Sequence, residues 1–242
     1  MRYTHNIHLI RKRKHTLKIS LIFSLFLLVL ILFVGFTTLD AKLFFLGFLE
    51  SLWRVCISYV VALVISLLLM LIVSSTSVVE SIFVPILDVL QSFPSFAFYP
   101  LFVLWFGKTA TVTILILIME MIWPLLFTVL TAQKQIRLDL SEAAKSYGAT
   151  GFKFLRFVEL PLLFPALVTG SLISWGEAWE AIIAAEIVVS VPGVGTYLAQ
   201  AGQSNQTHIL IIGILLLLLI LFLINKYLWL SLLNLSTKYQ QE

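Results

Sequence analysis

The chain has 242 residues, 60% of them hydrophobic and only 12% charged, with a net charge of +4. Soluble domains average about 45–50% apolar and about 25% charged residues, so a water-facing globule is excluded, and a disordered chain would be polar and charge-rich. A mean hydropathy of +1.05 points to lipid as the solvent; at about 20 apolar residues per spanning helix, the length leaves room for six or seven spans and no catalytic domain.

Uninterrupted apolar runs place the spans. The first covers residues 17–36, behind Arg11, Lys12, Arg13 and Lys14 and with Lys18 at its entry. Its length exceeds the core of a signal peptide, and Thr37-Thr38-Leu39-Asp40 offers no small-residue cleavage site, so a retained helix is expected. The second covers 52–73, with Glu50 and Arg54 at its entry. The third, 85–106, is interrupted by Pro94 and Pro100. The fourth covers 111–131, the fifth 162 to about 189, and the sixth 209–230. The expected class is therefore an all-α membrane protein of about six transmembrane helices. A single cysteine, Cys56 in an apolar run, excludes a disulfide framework and reads as a small buried hydrophobe.

Thirteen of the sixteen basic residues fall before span one or at its entry, between spans four and five, or at the tail from Lys226 onward. The positive-inside rule makes that side, and both termini, cytoplasmic. The net positive charge is thus a topology signal and not a nucleic-acid footprint. The one long connection, 132–160, lies on the same side, and function concentrates in such loops. Within it, Asp139 or Ser141 can cap a short helix through Tyr147, and Gly148 supplies a left-handed stop. Thr150 can cap a second helix, which Pro161 closes. The outcome is a helix–Gly–helix elbow whose residues Ala143 and Ala144 give a smooth side suited to another protein's groove; the plainer alternative is a solvated amphipathic loop.

Glu142-Ala143-Ala144, Gly148 and Leu160-Pro161 resemble the signature loop of permease subunits of binding-protein-dependent ABC importers, the type I transmembrane fold. The resemblance covers roughly residues 49–232. Ser51-Leu52-Trp53-Arg54-Val55, the proline-punctuated stretch from Phe93-Pro94 to Phe106-Gly107, Ala178-Trp179, Ala185-Glu186 and the turn Pro192-Gly193-Val194-Gly195 are similar to its nitrate/sulfonate/taurine-type branch; Ser58 departs from the glycine frequent there. The resemblance implies a bacterial cytoplasmic-membrane subunit working with two cytoplasmic ATPase subunits, a second permease (identical or related) and an extracytoplasmic solute-binding protein. It implies that ATP binds on the partner, so that this chain holds no cofactor. Glu142, Ala143, Ala144 and Gly148 would then form the ATPase-coupling loop. The implied organisation is 1–48 as N-terminus, first helix and external loop, 49–232 as transmembrane domain, and 233–242 as cytoplasmic tail.

Nothing else in the chain points to enzymatic or metal chemistry. Gly107-Lys108-Thr109 lacks the preceding glycine and the strand–loop–helix setting of a phosphate-binding loop, since Phe102 stands where that glycine belongs. The four histidines have no metal-ligand spacing. Acids inside spans are costly and therefore candidates for function: Glu120 in span four, and Glu177, Glu180 and Glu186 in span five. At 100° per residue Trp175, Trp179 and Glu186 share one face, while Gly170, Ser174, Ala178, Ala181 and Ala185 form a small-residue stripe suited to close helix contact. Glu120, Trp175, Glu177, Trp179 and Glu186 are the candidate pathway-lining residues, with buried hydrogen bonding the alternative for the acids and ordinary packing for the tryptophans. A Glu-rich cavity would favour a neutral or cationic solute, in conflict with the familiar solutes of that branch. The rival class is a secondary transporter without an ATPase.

Overall fold

The structure, a computed structural model, describes residues 41–238; the expected first span lies outside them. The described residues are helical and contain no strand. Helix α1 spans Ala41–Val73 and α2 spans Ser77–Gln91, followed by a 3-10 turn at Ser95–Phe98 and by α3 at Tyr99–Phe106. Helix α4 spans Ala110–Lys134, and α5, Leu138–Ser146, projects from its end. A short turn at Phe152–Phe154 and a π-helical turn at Leu155–Glu159 lead into α6, Leu160–Val189. Helix α7 covers Val194–Gln203 and α8 covers Thr207–Ile224; a second π turn at Asn225–Trp229 leads to α9, Leu230–Lys238. Among the described residues, four helical stretches are long and apolar enough to cross a membrane. A fifth results if α2 and the Ser95–Phe106 segment, bent by 81° at their junction, count as one broken span.

Helix α4 is the centre of the bundle. Ser58 Oγ donates to the Ile114 carbonyl at 3.3 Å and Ser66 Oγ to the Ile122 carbonyl at 3.1 Å, both across 56 positions. A constant offset means that α1 and α4 run parallel. Helix α6 runs antiparallel to α4: Ser174 Oγ donates to the Met121 carbonyl at 3.2 Å, while Ala185 packs with Val112 and Ile116. A Cβ on Gly170 would lie 3.2 Å from the Pro124 carbonyl oxygen. The small-residue stripe of α6 is thus what lets the two backbones approach. Lipid supplies no hydrophobic drive between helices, so close packing and hydroxyl-to-carbonyl bonds carry this association.

Three expected boundaries move. Helix α1 is already helical at Ala41, the first described residue, well before the expected start near 52, because Lys42 and Glu50 sit exposed on a continuing helix and mark no end to it. Pro161 does not close a helix: it occupies the first turn of α6, where its missing N–H costs nothing, and the π turn just before it carries the chain through. Neither Asp139 nor Ser141 caps α5, because the helix already begins at Leu138 with Arg137 at the cap position. Between the expected fifth and sixth spans lies α7, whose buried Val194, Tyr197, Leu198 and Ala201 follow i, i+3, i+4, i+7 spacing. Tyr197 meets Phe44 of α1 edge-on at 5.6 Å.

Candidate functional site

The sharp bend after α2 opens a cavity of about 470 Å³ against α4 and α6. Pro94 precedes the 3-10 turn, and the chain resumes as α3 with Pro100 in its first turn, so the two prolines that interrupt the expected third span stand at the start of each new piece. Glu120 and Trp123 of α4 and Glu177 of α6 line the cavity, with Phe93 and Ser95 from the bend. Ser95 Oγ donates to the Glu120 carboxylate. Pro124, also in the wall, lacks the N–H that would otherwise pair with the Glu120 carbonyl. Glu177 has no ion pair or hydrogen bond from its side chain among the described residues. A larger hollow of about 810 Å³ lies between α1 and α7, with Glu50 its one charged lining residue among the described residues.

Glu186 is placed elsewhere. Its carboxylate is fully buried and accepts from Arg54 Nη1 at 2.7 Å, Ser51 Oγ at 2.7 Å and the Gly195 N–H at 2.9 Å. Ser51 Oγ also accepts from the Val194 N–H at 2.9 Å, and Arg54 Nη1 donates to the Pro192 carbonyl at 2.6 Å. This network joins α1, α6 and the start of α7. Gly193 lies flat against the carboxylate, in space that a Cβ would overlap. Buried charge is tolerated here because every oxygen of Glu186 has a donor and Arg54 supplies the counter-charge.

The tryptophans of the same stripe also face α1. Trp179 is buried and stacks on Phe48 at 5.4 Å with an 8° interplanar angle. Trp175 meets Tyr59 edge-on at 6.0 Å and Trp229 at 5.8 Å, while the Tyr59 hydroxyl hydrogen-bonds Ser171 Oγ at 2.7 Å. Of the five candidate pathway-lining residues, Glu120 and Glu177 therefore meet at the cavity. Trp175, Trp179 and Glu186 meet α1.

The elbow stands clear of the bundle. Glu142, Ala143 and Gly148 are exposed and Ala144 is half-buried; Tyr147 is 93% exposed. Gly148 takes φ +82°, a left-handed conformation that costs an L side chain about 1–2 kcal/mol. Its N–H reaches the Lys145 carbonyl at 2.9 Å and the Ala149 N–H reaches the Ala144 carbonyl at 3.0 Å. These two bonds are a Schellman closure of α5. Gly151, at φ +54°, makes the second corner. Lys145 Nζ sits 5.9 Å from the centroid of the Phe154 ring, across the elbow. At its start, Arg137 grips Asp139 through both carboxylate oxygens and holds that carboxyl below the usual carboxylate range. Where α4 ends, Lys134 pairs with Glu80 of α2 at 2.6 Å, and Gln133 Nε2 donates to Glu159 in the π turn.

Arg54, Ser51, Gly195 and α7 are the functional geometry that sequence reading did not assemble. Their signals were present: two opposite charges within apolar runs, and the buried spacing of α7.

Several known proteins are similar to this chain in sequence. The chain is 29% identical over 175 residues to the taurine transport system permease protein TauC of Escherichia coli (strain K12), across 72% of this chain and 64% of that protein. It is 27% identical over 168 residues to the bicarbonate transport system permease protein CmpB of Synechococcus elongatus, across 69% of this chain and 60% of that protein. It is 26% identical over 175 residues to the nitrate import permease protein NrtB of Leptolyngbya laminosa, across 72% and 63%. The matches thus span less than two thirds of these relatives' own length. The model of the binding-protein-dependent transport system inner membrane component family matches residues 73–230, a stretch that holds the bend, the cavity acids, the elbow and α6 to α8. On that match the chain belongs to the binding-protein-dependent transport system inner membrane component family.

Proposed function

We propose that the chain is the permease subunit of an ATP-driven importer, with six spans, both termini cytoplasmic, residues 49–232 as transmembrane domain and 132–160 as its coupling loop. The observation that carries this reading is the exposed α5, closed by Gly148 and held between two spans of a chain of this family. Two cytoplasmic ATPase subunits bind below, a second permease copy or a related permease stands alongside, and an extracytoplasmic binding protein delivers solute. Glu142, Ala143 and Ala144 enter a groove on the ATPase, and Gly148 fixes the angle at which α5 leaves the bundle. Closure of the ATPases pushes α5; the push passes through the π turn into α6 and through Lys134 into α4, and the cavity opens to one side and then the other. Glu120 and Glu177 are assigned to the pathway wall. Glu186, Trp175 and Trp179 hold α6 and α7 to α1 so that the outer ends move together.

The test is purification of the full chain from its native membrane. An ATP-hydrolysing subunit is expected to accompany the unaltered chain and to be lost when Glu142→Arg is combined with Ala143→Trp, both exposed positions that leave the bundle intact. Undiminished ATP hydrolysis with that double variant refutes the assignment of the elbow. Solute uptake that proceeds on a proton gradient with no ATPase present favours a secondary transporter.

A further inference from the structure

We propose that the solute admitted to the cavity between the bend, α4 and α6 is an organic cation, an ammonium or amidinium carried on an apolar or aromatic body. The inference rests on reading that cavity as part of the solute pathway. Both ionisable groups in its wall are carboxylates, Glu120 and Glu177, and no Lys, Arg or His lines it among the described residues. Neither acid has an ionic partner among those residues: Glu120 is met by the neutral Ser95 hydroxyl and Glu177 by none. Charge in low-dielectric surroundings is strongly disfavoured without a counter-charge. An anion entering here adds to the repulsion, whereas a cation relieves it. The remaining wall supplies acceptors and π faces. Gln91 and Thr128 carry side-chain acceptor oxygens in it, and Phe93, Trp123 and Phe127 provide rings over which a cation is attracted. A volume of about 470 Å³ suits a small organic molecule. A bare metal ion is a poorer fit, since no group of three or more His, Cys, Asp or Glu side chains among the described residues is placed to hold one. The bicarbonate and nitrate in the names of two relatives are anions; the inference gives this chain a solute of the opposite charge.

The test reads the charge preference of the cavity directly. The full chain carrying Cys56→Ala and Ser92→Cys is purified in a zwitterionic detergent. It is then reacted with two methanethiosulfonates, one bearing trimethylammonium and one bearing sulfonate. Each rate is divided by the rate of the same reagent at Ser204→Cys, in an exposed turn. Field focusing by like charges in a low-dielectric cleft predicts a normalised preference of about tenfold for the cationic reagent. That preference should fall to near parity when Glu120→Gln and Glu177→Gln are combined. Phenethylammonium should slow the labelling and phenylacetate should not. Ile173→Cys reports from the opposite wall if Ser92→Cys disturbs the bend. Reaction without charge preference, a preference for the sulfonate, or a preference untouched by the two Glu→Gln changes overturns the cation inference and leaves the pathway reading standing. Failure of both reporters to react with either reagent shows that water does not enter the cavity, and overturns the pathway reading as well.

Discussion

The Arg54–Glu186 pair offers the sharpest energetic prediction. Glu186 is 0% exposed and Arg54 4% exposed, so removing either leaves the other charged and buried. Arg54→Met leaves the carboxylate with only the Ser51 hydroxyl and the Gly195 N–H. Glu186→Gln leaves the guanidinium with the Pro192 carbonyl and with Glu50, 3.3 Å away and largely exposed. Breaking one side of a buried ion pair costs about 3–5 kcal/mol, and each single variant should lose that much. The double variant removes both charges and keeps an amide oxygen for the α7 N-terminus, so its loss should fall short of the sum of the two by about 2–3 kcal/mol. The assay is a double-mutant cycle on the full chain in mixed micelles, unfolded with a denaturing detergent and followed by helicity. Hydrogen exchange at the Gly195 amide should accelerate in Glu186→Gln, because its charged acceptor is replaced by a weaker neutral one. Losses that add to within about 0.5 kcal/mol would refute a direct coupling of the two charges.

Other consequences follow from the same packing. Gly170→Leu wedges α6 away from Pro124 and Thr128 of α4, where even a Cβ lies at 3.2 Å; overpacking should destabilise the bundle by about 1–3 kcal/mol, read as a lower melting temperature in detergent. Gly148→Val forces a β-branched residue to φ +82° and should weaken the Schellman closure by about 1–2 kcal/mol, seen as faster exchange of the Ala149 amide with global stability preserved. Asp139 is held below the ordinary carboxylate range by Arg137, so the pair's contribution is complete above the unfolded-state pKa and is lost as pH falls through the lowered folded-state value. A carboxyl-carbon titration should place Asp139 below a free aspartate and return it toward the ordinary range in Arg137→Gln.

What the sequence showed and what it hid divide along physical lines. Apolar runs locate spans because lipid must face apolar side chains: α4 and α6 begin and end within a few residues of expectation, and α8 begins so. The small stripe of α6 predicted a close helix neighbour, and α4 is that neighbour. The angle of the bend after α2 was not legible: Pro94 and Pro100 mark interruptions, but 81° depends on what the pieces pack against. Arg54 looked interfacial because a lone charge near the end of an apolar run normally is. Its partner lies 132 positions away, and helix periodicity says nothing about which remote face a stripe will meet. The shared face of Trp175, Trp179 and Glu186 was visible, yet periodicity could not tell a pathway from Phe48, Arg54 and Tyr59 of α1. The elbow was the most legible feature, because a left-handed glycine after a short helix is a local requirement; its N-terminal cap was misread because Asp139 bonds Arg137 instead.

The central claim is that ATPase movement at α5 reaches the cavity beside Glu120. It is tested most directly by measuring the labelling rate of Ser92→Cys, in a Cys56→Ala background, in the complex isolated through this chain, first without nucleotide and then trapped with ATP and vanadate. The account predicts a change of about tenfold or more, as a two-state pathway closes to one side and opens to the other, and predicts that Gly148→Pro abolishes the change while ATP hydrolysis persists. Equal labelling rates in the two nucleotide states of the unaltered elbow would contradict it.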